Sequence, residues 1–77
     1  MSRQFIDDDL TLWEVHASSG RYSLPDQGRL VFLCVTDRDR RPRSVRYQGD
    51  LIDSEAAVGS LPDEQLRALL AGSEELT

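Results

Sequence analysis

The sequence predicts an α+β fold: a three-stranded antiparallel sheet followed by two short C-terminal helices on one of its faces, in the order β-β-β-α-α. Three observations predict it. Residues alternate apolar and polar with period two in parts of 10–17 and 43–49. Between them runs an unbroken apolar stretch, Leu30 to Val35, rich in β-branched and aromatic side chains. After Gly49 the spacing changes to three and four residues, with Leu66, Leu69 and Leu70 on one helical stripe.

The elements follow in chain order. Residues 1–9 read as a frayed acidic lead-in, because Asp7, Asp8 and Asp9 repel one another and favour no strand. Leu10 to Ala17 is the first strand, with Thr11, Trp13, Val15 and Ala17 on its core face. Residues 18–28 hold two glycines, a proline and an Asp-Gln-Gly turn signal, so they form a long loop. Arg29 to Thr36 is the central strand. Residues 37–42 (DRDRRP) are too polar for a core and contain proline, which makes them a hairpin loop. Arg43 to Gly49 returns as a half-buried strand with Val45 and Tyr47 inward.

Asp53 is placed to cap a short helix from about Ser54, ended by Gly59. Pro62, Asp63 and Glu64 suit the first turn of a second helix, where proline loses no needed donor and acids complement the dipole. Leu61 is positioned to staple onto Leu66, and Gly72 stops the helix. Residues 53–72 are thus helical, 10–49 form the sheet, and 73–77 are a loose acidic tail.

With 77 residues the chain has room for one small domain, 1–77. A single cysteine precludes an internal disulfide framework. No apolar run approaches the roughly 20 residues that span a bilayer, and the acidic N-terminus does not resemble a signal peptide. The expectation is a cytoplasmic protein with no membrane association. The net charge is −5, unevenly spread. Residues 21–50 carry seven arginines against four aspartates, while residues 51–77 carry one arginine against six acids. Such a molecule repels a polyanion at long range, which argues against nucleic acid as a partner.

The central strand raises a problem of cover. Leu30, Phe32 and Cys34 oppose Val31, Leu33 and Val35, yet two short helices cover one face only. Burying the second set is worth roughly 5–9 kcal/mol as an upper bound, at about 1.5–3 kcal/mol per side chain. Two covers are available: the 18–28 loop, anchored by Tyr22 and Leu24, or a second copy of the chain. The second reading makes Val31, Leu33 and Val35 interface residues.

Other signals are weighed singly. Arg38, Arg40, Arg41, Arg43 and Arg46 fall within nine residues, and arginine forks onto phosphate or carboxylate. Interleaved Asp37 and Asp39 make a solvated hairpin tip the simpler reading. His16 and Cys34 are each the only residue of their type, but apolar flanks favour an inert thiol. Asp7 to Asp9 lack the spacing of a calcium loop. One cysteine and one histidine cannot build a structural zinc site, so no metal or other cofactor is expected. Ser18 to Tyr22 could cradle a small anion, although no helix starts there. Trp13 reads as the core aromatic. These observations predict a non-enzymatic interaction or regulatory domain that binds another protein or forms a homodimer. Nucleic-acid or anionic-ligand binding through 38–46 stands as the alternative.

Overall fold

The structure is a computed structural model that describes residues 2–18, 28–37, 39–47 and 51–75. It is an α+β fold with an antiparallel sheet and two helices, and the sheet has five strands rather than three. The strands are β1 (Ser2–Ile6), β2 (Leu12–Ser18), β3 (Arg29–Cys34), β4 (Arg43–Arg46) and β5 (Glu74–Glu75), in the spatial order β1-β2-β3-β4-β5. Helices α1 (Leu51–Ser60) and α2 (Asp63–Ala71) lie between β4 and β5 in the chain. Helix α1 packs across β1, β2 and β3, while α2 packs across β1 and β4.

The two additional strands correct the reading of both ends. Residues 2–6 are no frayed lead-in: Phe5 is 2% exposed and packs edge-to-face on Phe32, ring centroids 5.9 Å apart at 78°. One inward aromatic and a full register with β2, Ser2 opposite His16 through Ile6 opposite Leu12, hold this strand. At the other end Glu74 and Glu75 pair with Ser44 and Arg43. Neither glutamate is buried, so this short strand owes its place to backbone pairing at the β4 edge.

The core lies between the helices and one sheet face. Trp13 and Val15 from β2 join Leu30, Phe32 and Cys34 from β3, under Val58, Leu66 and Leu70 from the helices. Ala17, Val45 and Tyr47 pack at its margin, as the alternation in both strands predicts.

Helix α1 starts at Leu51, ahead of the expected Ser54, so Asp53 sits in its first turn instead of capping it. Gly59 lies inside this helix and does not end it. It is the penultimate residue, so the helix runs one position beyond the expected end. Pro62 is the N-cap of α2, one position before its first turn, with extended backbone at φ −67° and ψ 155°. Leu61 packs against the cluster that holds Leu66. Gly72 caps the other end, and its N–H reaches Ala68 O and Leu69 O.

Arg3 links β1 to the helices. Its guanidinium donates to the carbonyls of Val58 and Leu61 and to the Asp63 carboxylate. Helix α1 has no basic residue in its last turn, so Arg3 supplies the cation that the exposed carbonyl end of a helix favours.

Candidate functional site

Two surfaces carry the residues singled out by the sequence. The first is the sheet face turned away from the helices. Strand β3 is third of five, flanked on both sides, with Leu30 and Phe32 fully buried against the helices. Within a single copy the other side of β3 is not hidden at Leu33, which is 38% exposed. Val31 and Val35 are half-buried beside it. Register places Val31 opposite His16 and Leu33 opposite Glu14. Ile6, 46% exposed, lies across from Leu12 on the same face, and the Val35 N–H donates to Leu12 O at 2.9 Å. An apolar strip therefore runs over three strands, with Glu14 and His16 beside its centre.

The second surface is a cavity of about 540 Å³ between the β1–β2 turn, the 39–43 segment and the later half of α2. Asp7 organises its wall. The Asp7 carboxylate accepts the N–H of Asp9 at 2.8 Å, the N–H of Thr11 at 2.9 Å and the indole N–H of Trp13 at 2.8 Å. Partial burial pushes the Asp7 carboxyl up. The three donated hydrogen bonds and the Arg40 charge act the other way and prevail, leaving it below the ordinary aspartate value. Asp7 is therefore part of a built turn and not of a solvated tail. Little in the sequence marks this turn, because Ser2 to Ile6 shows no period-two alternation ahead of the acids.

Three of the hairpin arginines, Arg40, Arg41 and Arg43, line the larger cavity together, and Arg46 does not. Arg38 lies outside the described residues, as do Ser19 to Tyr22 and Leu24 of the long loop. Arg40 stands over the Trp13 ring, 5.8 Å from its centroid, and Arg41 lines the cavity beside it. Arg43 turns to the helix side, where its Nε–H donates to Ser73 Oγ at 2.8 Å and a terminal nitrogen donates to Ser73 O. Arg46 lies opposite Arg29 in a smaller cavity of about 260 Å³. Arg67, which sequence reasoning passed over, completes the larger cavity. Its Nε–H donates to Ile6 O at 2.7 Å, a contact between residues 61 positions apart that no local pattern signals.

The remaining candidates separate. Cys34 is buried on the helix side and its Sγ accepts the Asp37 N–H at 3.4 Å. His16 is on the opposite face of the sheet, so imidazole and thiol cannot meet within one chain. Among the described residues no three of the histidine, cysteine and acidic side chains are grouped to hold a metal ion. No helix there is long and apolar enough to cross a membrane. No protein-family model, curated protein or solved structure matches this chain.

Proposed function

We propose that this protein is a small interaction domain that binds a second copy of itself through the open face of its sheet. The observation that carries the reading is the exposure of Leu33 in the middle strand, between half-buried Val31 and Val35. A central strand with apolar side chains in water is the pattern of a surface meant to be covered.

The two polar side chains on this face support a second copy as the cover, and they select one arrangement. Glu14 and His16 are two residues apart on one strand, level with Leu33 and Val31 on the next. Take a two-fold axis across the strands, midway between these two rows. It sets Glu14 over the partner's His16 and Leu33 over the partner's Val31, each contact occurring twice. An axis along the strands, between β2 and β3, instead presses each Glu14 onto the partner's Leu33 and strands a charge on an apolar group.

Solution mass by light scattering across a concentration series tests the reading. The expected result is twice the monomer mass at high concentration, returning to monomer for Leu33→Asp. A monomer at every concentration, without binding of an apolar-surface dye, overturns it and favours cover from within the chain.

A further inference from the structure

We infer that the cavity between the β1–β2 turn and α2 is a binding site for a small zwitterion, an amino acid or short peptide with free amino and carboxyl groups. The inference is independent of self-association, because the cavity lies toward the helices and the proposed interface is on the opposite face of the sheet.

The argument rests on which charges around the cavity are already used. Asp7 is committed to three hydrogen bonds that close the turn. Arg43 is committed to Ser73. Arg67 spends its Nε–H on Ile6 O, which fixes the guanidinium and leaves its two terminal nitrogens without a partner among the described residues. Arg41 makes no hydrogen bond or ion pair among them, and the carboxylates of Asp8, Asp9 and Glu75 make none either. The cavity thus offers available cations and available anions in the same space, and within it they have not neutralised one another by direct pairing.

That balance selects the ligand class. A simple anion drawn to Arg41 and Arg67, beside Arg40 and Arg43, meets the repulsion of Asp7, Asp8, Asp9 and Glu75, and a simple cation meets the reverse. A ligand carrying both signs is matched at both ends. Guanidinium takes a carboxylate in a two-pronged hydrogen bond, and the aspartates accept from an ammonium. The volume of about 540 Å³ falls in the range of small-molecule pockets. Ala71, exposed on α2, gives the cavity an apolar wall, against which an aliphatic side chain can lie between the charged ends.

Trp13 is the only tryptophan in the chain, and Arg40 stands over its ring, so its emission reports the cavity directly. The test is a fluorescence titration with leucyl-leucine, beside its N-acetylated form, its C-amidated form, and acetate and inorganic phosphate alone. The dipeptide is expected to give a saturable change, and each blocked form to bind at least ten-fold more weakly. Arg41→Gln should weaken the dipeptide by a similar factor while circular dichroism stays that of the parent, since Arg41 is exposed and unbonded. Asp9→Asn, which keeps its backbone N–H to Asp7, should weaken it likewise. Absence of saturable binding by the dipeptide overturns the proposal. So does equal or tighter binding of acetate or phosphate, which would make this a plain anion site.

Discussion

The indole N–H of Trp13 donates to the Asp7 carboxylate at 2.8 Å, and this contact ties the β1–β2 turn to the core. Trp13 is 2% exposed, so its N–H needs a partner inside the protein. The other Asp7 oxygen accepts the N–H groups of Asp9 and Thr11. One side chain therefore closes the turn, satisfies the core aromatic and shapes the wall of the cavity.

Replacing Asp7 by alanine leaves the buried indole N–H and two turn amides without their acceptor. The expected loss is about 1–3 kcal/mol in urea unfolding, the range for orphaning buried polar groups. Asp8→Ala, at an exposed position whose side chain is unbonded, should stay within about 0.5 kcal/mol of the parent. Equal effects at the two positions would contradict the role assigned to Asp7.

The depressed Asp7 pKa fixes the sign of one pH effect. A carboxyl whose folded pKa lies below its unfolded value, about 3.9, stabilises the fold above that value. The contribution is lost as pH falls through the folded pKa. Below about pH 4, Asp7→Asn should lose less stability on acidification than the parent. Parallel stability curves for the two proteins in that window would refute this.

Leu10 has φ 63°, the left-handed region, with its side chain 83% exposed at the turn. That conformation costs a branched residue roughly 1–2 kcal/mol and costs glycine almost nothing. Leu10→Gly should raise stability by about 0.5–1 kcal/mol, since little burial is forfeited, whereas Leu10→Val should lower it. Thermal midpoints of the two variants, moving in opposite directions, are the check.

Arg3 serves the carbonyl end of α1 together with Asp63. Its ion pair is half-exposed and contributes little by itself, so the backbone carbonyls carry most of the effect. Arg3→Met should cost about 1–3 kcal/mol and Asp63→Asn about 1 kcal/mol or less, compared by chemical denaturation. The reverse ranking would place the stabilisation in the ion pair.

In the proposed two-fold pairing, Glu14 and His16 each meet the other on the second copy. Glu14→Lys alone should weaken self-association about ten-fold, roughly 1.4 kcal/mol. Exchanging the two, Glu14→His with His16→Glu, preserves both cross-copy pairs and should restore most of it. Sedimentation of the single and double variants distinguishes this from a general loss of apolar contact, which the exchange would not repair.

The middle of the fold was legible because its signals are local. Trp13 and Val15, then Leu30, Phe32 and Cys34, alternate inward as strand geometry requires, and Leu66 and Leu70 meet one helical turn apart. Solvation alone divides such patterns into an inside and an outside, whatever the neighbours. Helix α1 was harder at its start, because Asp53 reads as a cap and the helix instead begins at Leu51.

Tertiary structure alone decided the edges and the cavity. β1 has a single buried residue, Phe5, and β5 has none, so both exist because an adjacent strand offers unpaired backbone groups. Asp7 gains its role from Trp13, and Arg67 reaches the turn because α2 lies against β1. The sequence by itself determined the inward-facing residues of the middle strands and of α2, since burial there follows composition and period. Which charges meet depends on distances between remote segments, and those are set only when the chain closes on itself.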